Sequence, residues 1–96
     1  MFWNQTEDIK HAMLRVMREI GLETPLLEHR IVYAWEDVAG STVAKYTSEK
    51  FVRGGILYVR LTSAGLRQNL LLEHKSLADR LNDYVHAQVI TDVKFL

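Results

Sequence analysis

Arg53-Gly54-Gly55-Ile56-Leu57-Tyr58-Val59-Arg60-Leu61-Thr62 is the stretch whose reading decides the fold. After the glycine pair, Leu57, Val59 and Leu61 fall on one face. Tyr58, Arg60 and Thr62 fall on the other, which is the two-residue period of a half-buried strand. Gly54-Gly55 is a turn signal, so the strand belongs to an antiparallel hairpin. Its partner is read upstream, from Thr42 to Val52, where Val43, Tyr46, Thr47, Phe51 and Val52 supply β-branched and aromatic residues. Alternation is weaker there, and the register of the first strand stays open.

Upstream of the hairpin the period changes to that of helices. Ile9, Ala12, Met13, Val16, Met17 and Ile20 recur at three- and four-residue steps and predict a helix from Thr6 to Ile20. Thr6 is its cap, Glu7 and Asp8 suit its first turn, and Gly21 stops it. The methionines read as core filler, and a Met-rich face also suits a partner. A second helix opens at Thr24-Pro25, with Thr24 as N-cap, and carries Leu27, Ile31, Ala34, Trp35 and Val38 on one face. Gly40 ends it in a left-handed cap. The short connection predicts a helical hairpin.

Downstream, Ser63 caps a helical region in which Leu66, Leu70, Leu77, Leu81, Tyr84 and Val85 share a face. A polar gap at Glu73-His74 leaves open one long helix or two with a break near residues 73–76. Val89, Thr91, Val93 and Phe95 alternate in a closing strand over Val89–Leu96. The expected order is α-α-β-β-α(α)-β, an α+β domain with helices packed on one face of a three-stranded sheet.

Ninety-six residues suit one domain, spanning residues 1–96. With 48% hydrophobic and 25% charged residues, the chain has the composition of a folded protein. The absence of cysteine excludes disulfides, thiolate metal sites and a cysteine nucleophile. No apolar run reaches the roughly 20 residues that span a bilayer. Met1-Phe2-Trp3-Asn4-Gln5 lacks the features of a secretory signal, so the expectation is a cytoplasmic protein with no membrane partner.

Zero net charge conceals a strong asymmetry. Residues 1–37 carry four basic and seven acidic side chains. Residues 38–70 carry Lys45, Lys50, Arg53, Arg60 and Arg67 against Glu49 alone. A basic middle segment fits a polyanion-binding face, because lysine and arginine that neutralise phosphates release condensed counterions. The same charges also suit a solvated strand edge.

Catalytic chemistry is hard to find. His11, His29, His74 and His86 lack metal-ligand spacing. No phosphate-binding G-x-x-x-x-G-K-[ST] loop is present, and no serine lies in a nucleophile elbow. Glu7-Asp8 and Glu36-Asp37 are sequence neighbours that point in different directions on helices, unsuited to joint acid–base work. No catalytic residue, metal or cofactor is expected. A nucleic-acid reading draws on Lys45, Tyr46, Lys50, Arg53, Tyr58, Arg60 and Arg67, with the basic groups on phosphates and the aromatics stacking on unpaired bases.

The segment Trp35-Glu36-Asp37-Val38-Ala39-Gly40, followed by Val43-Ala44-Lys45-Tyr46-Thr47, resembles a signature of the DciA family. Similarity continues through Phe51–Val59 as a G-x-L-x-V strand and through Ser63–Leu70 as a helix start. It ends with Leu81-Asn82 before the closing strand, so that it covers roughly residues 9–96. The resemblance implies a K-homology-like domain in a bacterial DNA-replication factor. It further implies a non-enzymatic protein that binds single-stranded DNA and the DnaB-type replicative helicase, and that promotes helicase loading. Lys45, Lys50, Arg53, Tyr58, Arg60 and Arg67 are the candidate nucleic-acid residues. Trp35 and Gly40 are read as fold determinants.

The chain departs from the family pattern in two places. Gly65 or Leu66 replaces an expected aromatic, and no G-x-x-G loop is present to clamp a nucleic-acid backbone. Many relatives also carry a tail beyond this domain. Without one, helicase and DNA binding are expected to share the single domain, as a monomer or weak dimer. An RNA-binding module and a pure protein-interaction adaptor built on the N-terminal helix are the alternatives.

Overall fold

The computed structural model describes residues 6–19 and 23–96. The expectations for Met1–Gln5, for Ile20 and Gly21, and for the side chains of Thr6, Glu7, Asp8 and Met17 fall outside what it describes. The architecture is α+β, with α1 (Thr6–Glu19), α2 (Glu23–Ala39), α3 (Ser41–Lys45), β1 (Thr47–Arg53), β2 (Ile56–Leu61), α4 (Ala64–Leu71), α5 (His74–Val85) and β3 (Asp92–Phe95). The sheet order is β1-β2-β3, antiparallel between β1 and β2 and parallel between β2 and β3. The α4–α5 crossover makes the parallel pairing possible, since parallel neighbours cannot be joined by a tight turn.

The hairpin forms as its sequence dictates. Gly54 and Gly55 take φ of 59° and 76°, the two positive values of a type I′ turn, and Arg53 pairs with Ile56 across it. Leu57, Val59 and Leu61 are buried, while Arg60 and Thr62 are exposed. The weak alternation of β1 has a specific cause. Thr47 opposes Leu61 but Glu49 opposes Arg60, so Ser48 is an extra residue in β1. This bulge lets Thr47, Lys50 and Val52 share the helix-covered face while Glu49, Phe51 and Arg53 share the other.

The core lies between the sheet and a layer formed by α2 and α5. Ile31, Ala34 and Trp35 of α2 meet Leu77, Ala78, Leu81 and Val85 of α5 over Leu57, Val59 and Val93. Trp35 is fully buried, and its indole N–H donates to Thr47 Oγ1 at 3.1 Å, while Thr47 donates to the Val43 carbonyl at 2.9 Å. Arg80 donates to the Val38 carbonyl at 2.8 Å, a cation satisfying the C-terminal end of α2.

Five expectations change in detail. Residues 41–45 are a short helix, so β1 begins at Thr47 instead of Thr42. The helical turn sends Val43 into the core and its carbonyl to Tyr46 and Thr47, which outweighs the strand preference of Thr42 and Val43. Gly40 does end α2, but at φ 97° and ψ 163°, an extended positive-φ conformation and not a left-handed helical one. Such a conformation is essentially restricted to glycine. Helix α2 starts at Glu23, which puts Thr24 inside its first turn, where Pro25 is also tolerated.

The remaining two concern the C-terminal half and α1. Of the two arrangements left open after Ser63, the structure has two helices, broken at Leu72-Glu73, and Ser63 caps the first as expected by accepting the Leu66 N–H at 3.2 Å. The closing strand is only Asp92–Phe95, and Ile90, not Val89, enters the core. Buried Asn82 imposes that choice. Its Oδ1 accepts the N–H groups of Val89 and Ile90 at 2.9 and 3.1 Å, and its Nδ2 donates to the Ile90 carbonyl at 2.8 Å. Helix α1 meets α2, yet Met13 does not act as core filler, because it is 54% exposed.

Candidate nucleic-acid interface

With α2 and α5 on one face, the other face of the sheet presents Glu49, Phe51 and Arg53 from β1, Tyr58 and Arg60 from β2, and Lys94 from β3. Phe51 and Tyr58 are directly opposed across the hairpin and stack, with centroids 5.1 Å apart and planes 18° from parallel. Cross-strand aromatic pairs of this kind stabilise a sheet by about 0.2–1 kcal/mol. Both rings are half-buried. The Arg53 guanidinium lies 5.8 Å from the Phe51 centroid, in cation–π range. Lys94 lies beside Tyr58 in register and is exposed.

Only part of the predicted set converges. Arg53, Tyr58 and Arg60 share the open face, where the Arg60 Nε donates to Glu49 at 3.1 Å. The pair is more than half exposed on both sides, so it restrains Arg60 weakly. Lys50 belongs to the opposite face, where its ammonium meets Glu36 of α2 at 3.3 Å with the side chain only 22% exposed. Lys45 ends α3 instead of lying on a strand. Arg67, on α4, donates to the Leu96 carbonyl at 3.3 Å. Lys45 and Arg67 thus sit at the end of the sheet remote from the Gly54-Gly55 turn, where Tyr46 and Leu96 bond to the end of β2. Seven residues of β1 separate the ends, about 20 Å.

Phe51 and Lys94 are the residues that sequence reasoning missed. Phe51 stands two positions before Arg53 in regular register, so strand alternation alone puts both on one face. Lys94 alternates with Val93 and Phe95, but only the pairing of β3 with β2 brings it beside Tyr58.

Besides Glu49, two carboxylates have partners of their own. Asp37 accepts from the Tyr84 phenol at 2.5 Å, and that hydrogen bond pushes the phenol pKa up, with Asp37's charge and desolvation adding to it. Asp92 sits 2.6 Å from His74 Nδ1, and the hydrogen bond from His74 holds its carboxyl below the usual carboxylate range. Among the described residues, no three of His, Asp or Glu stand together as a metal site would need, and no helix is long and apolar enough to cross a membrane.

No curated protein matches the chain in sequence. The family described as Dna[CI] antecedent, DciA, matches residues 8–95. This match extends from the start of α1 to the end of β3, and it places the chain in the DciA family.

Proposed function

We propose that this chain is a non-enzymatic accessory of DNA replication that holds single-stranded DNA on its open sheet face while it engages the replicative helicase. The DciA family is a family of DnaB-helicase loaders, which gives the general role. The observation that carries the DNA half is the Phe51–Tyr58 stack with Arg53, Arg60 and Lys94 around it. Half-buried rings held by cross-strand packing present pre-ordered π surface to an unpaired base, and the flanking cations neutralise its phosphates. A duplex buries its base faces and cannot use the rings.

Sequence-independent binding suits a loader, which must accept any exposed strand. The sequence has no G-x-x-G loop to clamp a nucleic-acid backbone, so on this reading recognition falls to the sheet. The test is fluorescence anisotropy with a labelled oligothymidylate at low salt, beside a matched duplex and a matched RNA. Single strands are expected to bind better than duplex, and Phe51→Ala is expected to weaken them by a factor of about 5–150, the equivalent of about 1–3 kcal/mol per stacked base. Undetectable single-strand binding refutes the DNA half, and a strong preference for RNA transfers the site to an RNA ligand.

A further inference from the structure

Helix α1 carries an apolar stripe that the other described residues leave largely uncovered. Ile9, Met13 and Val16 are 45%, 54% and 52% exposed and run along about 10 Å of helix. Beside the stripe, between α1, the start of α2 and the end of α5, lies a cavity of about 240 Å³. Met13, Leu14, Leu26 and Val85 supply its apolar wall. Lys10, His11, Arg30 and His86 supply its polar wall, and among the described residues lining it none is a carboxylate.

This combination selects among ligands. A nucleic-acid strand would satisfy Lys10 and Arg30 but would leave the apolar wall facing phosphates and water. An apolar surface alone would cover the wall but strip water from two cations without replacing it, which is unfavourable. A peptide with an apolar side chain flanked by carboxylates satisfies both, in the helix-in-groove mode of recognition. The groove lies in the helical layer, so the sheet face beyond that layer remains free for DNA.

We propose that the groove between α1 and the α2–α5 pair is a docking site for an acidic amphipathic helix of the replicative helicase. Its apolar anchor enters the cavity and its carboxylates meet Lys10 and Arg30. The choice of helicase rests on the proposed function; the chemistry of the occupant rests on the groove.

The full chain and its Met13→Glu, Arg30→Glu and Lys10→Glu variants are titrated against the purified helicase of the same organism, with circular dichroism as a folding control. The exposed Lys10 makes its variant safe for the fold. Each variant is expected to weaken helicase binding tenfold or more, with single-strand affinity kept within twofold. Helicase binding unchanged in Met13→Glu and Lys10→Glu overturns the groove assignment and leaves the helicase role standing. Loss in Met13→Glu alone overturns the acidic occupant. A wild-type dimer that Met13→Glu splits identifies a second copy as the occupant, which also overturns the proposal. A wild-type chain that does not bind helicase at all overturns both the groove and the role.

Discussion

Asn82→Ala tests how one buried side chain fixes the path into β3. Asn82 is 5% exposed and makes three hydrogen bonds to residues 89 and 90. Removing it leaves the N–H of fully buried Ile90 without a partner, which costs about 1–3 kcal/mol. The half-buried Val89 N–H can turn to water, and the Ile90 carbonyl keeps the Gln88 side-chain amide at 3.1 Å, so each adds at most about 0.5–1 kcal/mol. With the small cavity left behind, the expected loss is about 3 kcal/mol. For a domain of this size that is a fall in Tm of roughly 12–24 °C.

A companion variant isolates the chemistry. Asn82→Asp keeps the acceptor for both N–H groups but turns a second carboxylate oxygen toward the Ile90 carbonyl. Burial and that repulsion raise the introduced carboxyl's pKa in the folded state, so its penalty relative to wild type is largest at neutral pH and shrinks as acid protonates it. Thermal melts of wild type and both variants between pH 4 and 7 check this. A loss below about 1 kcal/mol for Asn82→Ala, or a pH-independent difference for Asn82→Asp, refutes the reasoning.

Two further outcomes follow from named contacts. Because His74 lowers the folded-state pKa of Asp92, the pair contributes stability above the ordinary carboxylate value of 3.8, and that contribution is lost as pH falls through the lower folded value. The Tm difference between wild type and Asp92→Asn should therefore be present at neutral pH and fade below about pH 4. Gly55→Val places a β-branched residue at φ 76° and should lower stability by about 1–2 kcal/mol in urea unfolding, whereas Gly54→Asn, at φ 59°, should be tolerated.

Much of the architecture was legible because local pattern and burial agree. Strand β2 alternates without interruption, and the stripes of α2 and α5 place Ile31, Trp35, Leu77 and Leu81 where the core needs them. Errors arose where one non-local contact overrides a local tendency. Thr42 and Val43 favour strands, yet a helical turn lets Val43 pack and bond to Thr47. Val89 alternates correctly with Val93, but the Asn82 bonds reset the chain so that Ile90 points inward.

The site was half legible for a related reason. Charge density along the chain located the basic hairpin but could not assign residues to sheet faces. Lys50 precedes Arg53 by three residues in one unbroken register and so faces the helices, and Lys94 joins the open face only through parallel pairing. The stripe of α1 identified a helix, while its exposure depends on how α1 docks, which periodicity does not report.

The most direct measurement is the salt dependence of single-strand affinity for wild type, Arg53→Ala, Lys94→Ala and Arg30→Ala. If the open sheet face holds the strand, Arg53→Ala and Lys94→Ala each lower affinity on every oligonucleotide sequence. Each also reduces the slope of log K against log salt by about 0.7, the value of one phosphate contact on a single strand. Arg30→Ala should leave the slope unchanged. Unaltered slopes for Arg53→Ala and Lys94→Ala, together with a reduced slope for Arg30→Ala, would move the DNA to the helical layer and contradict the account.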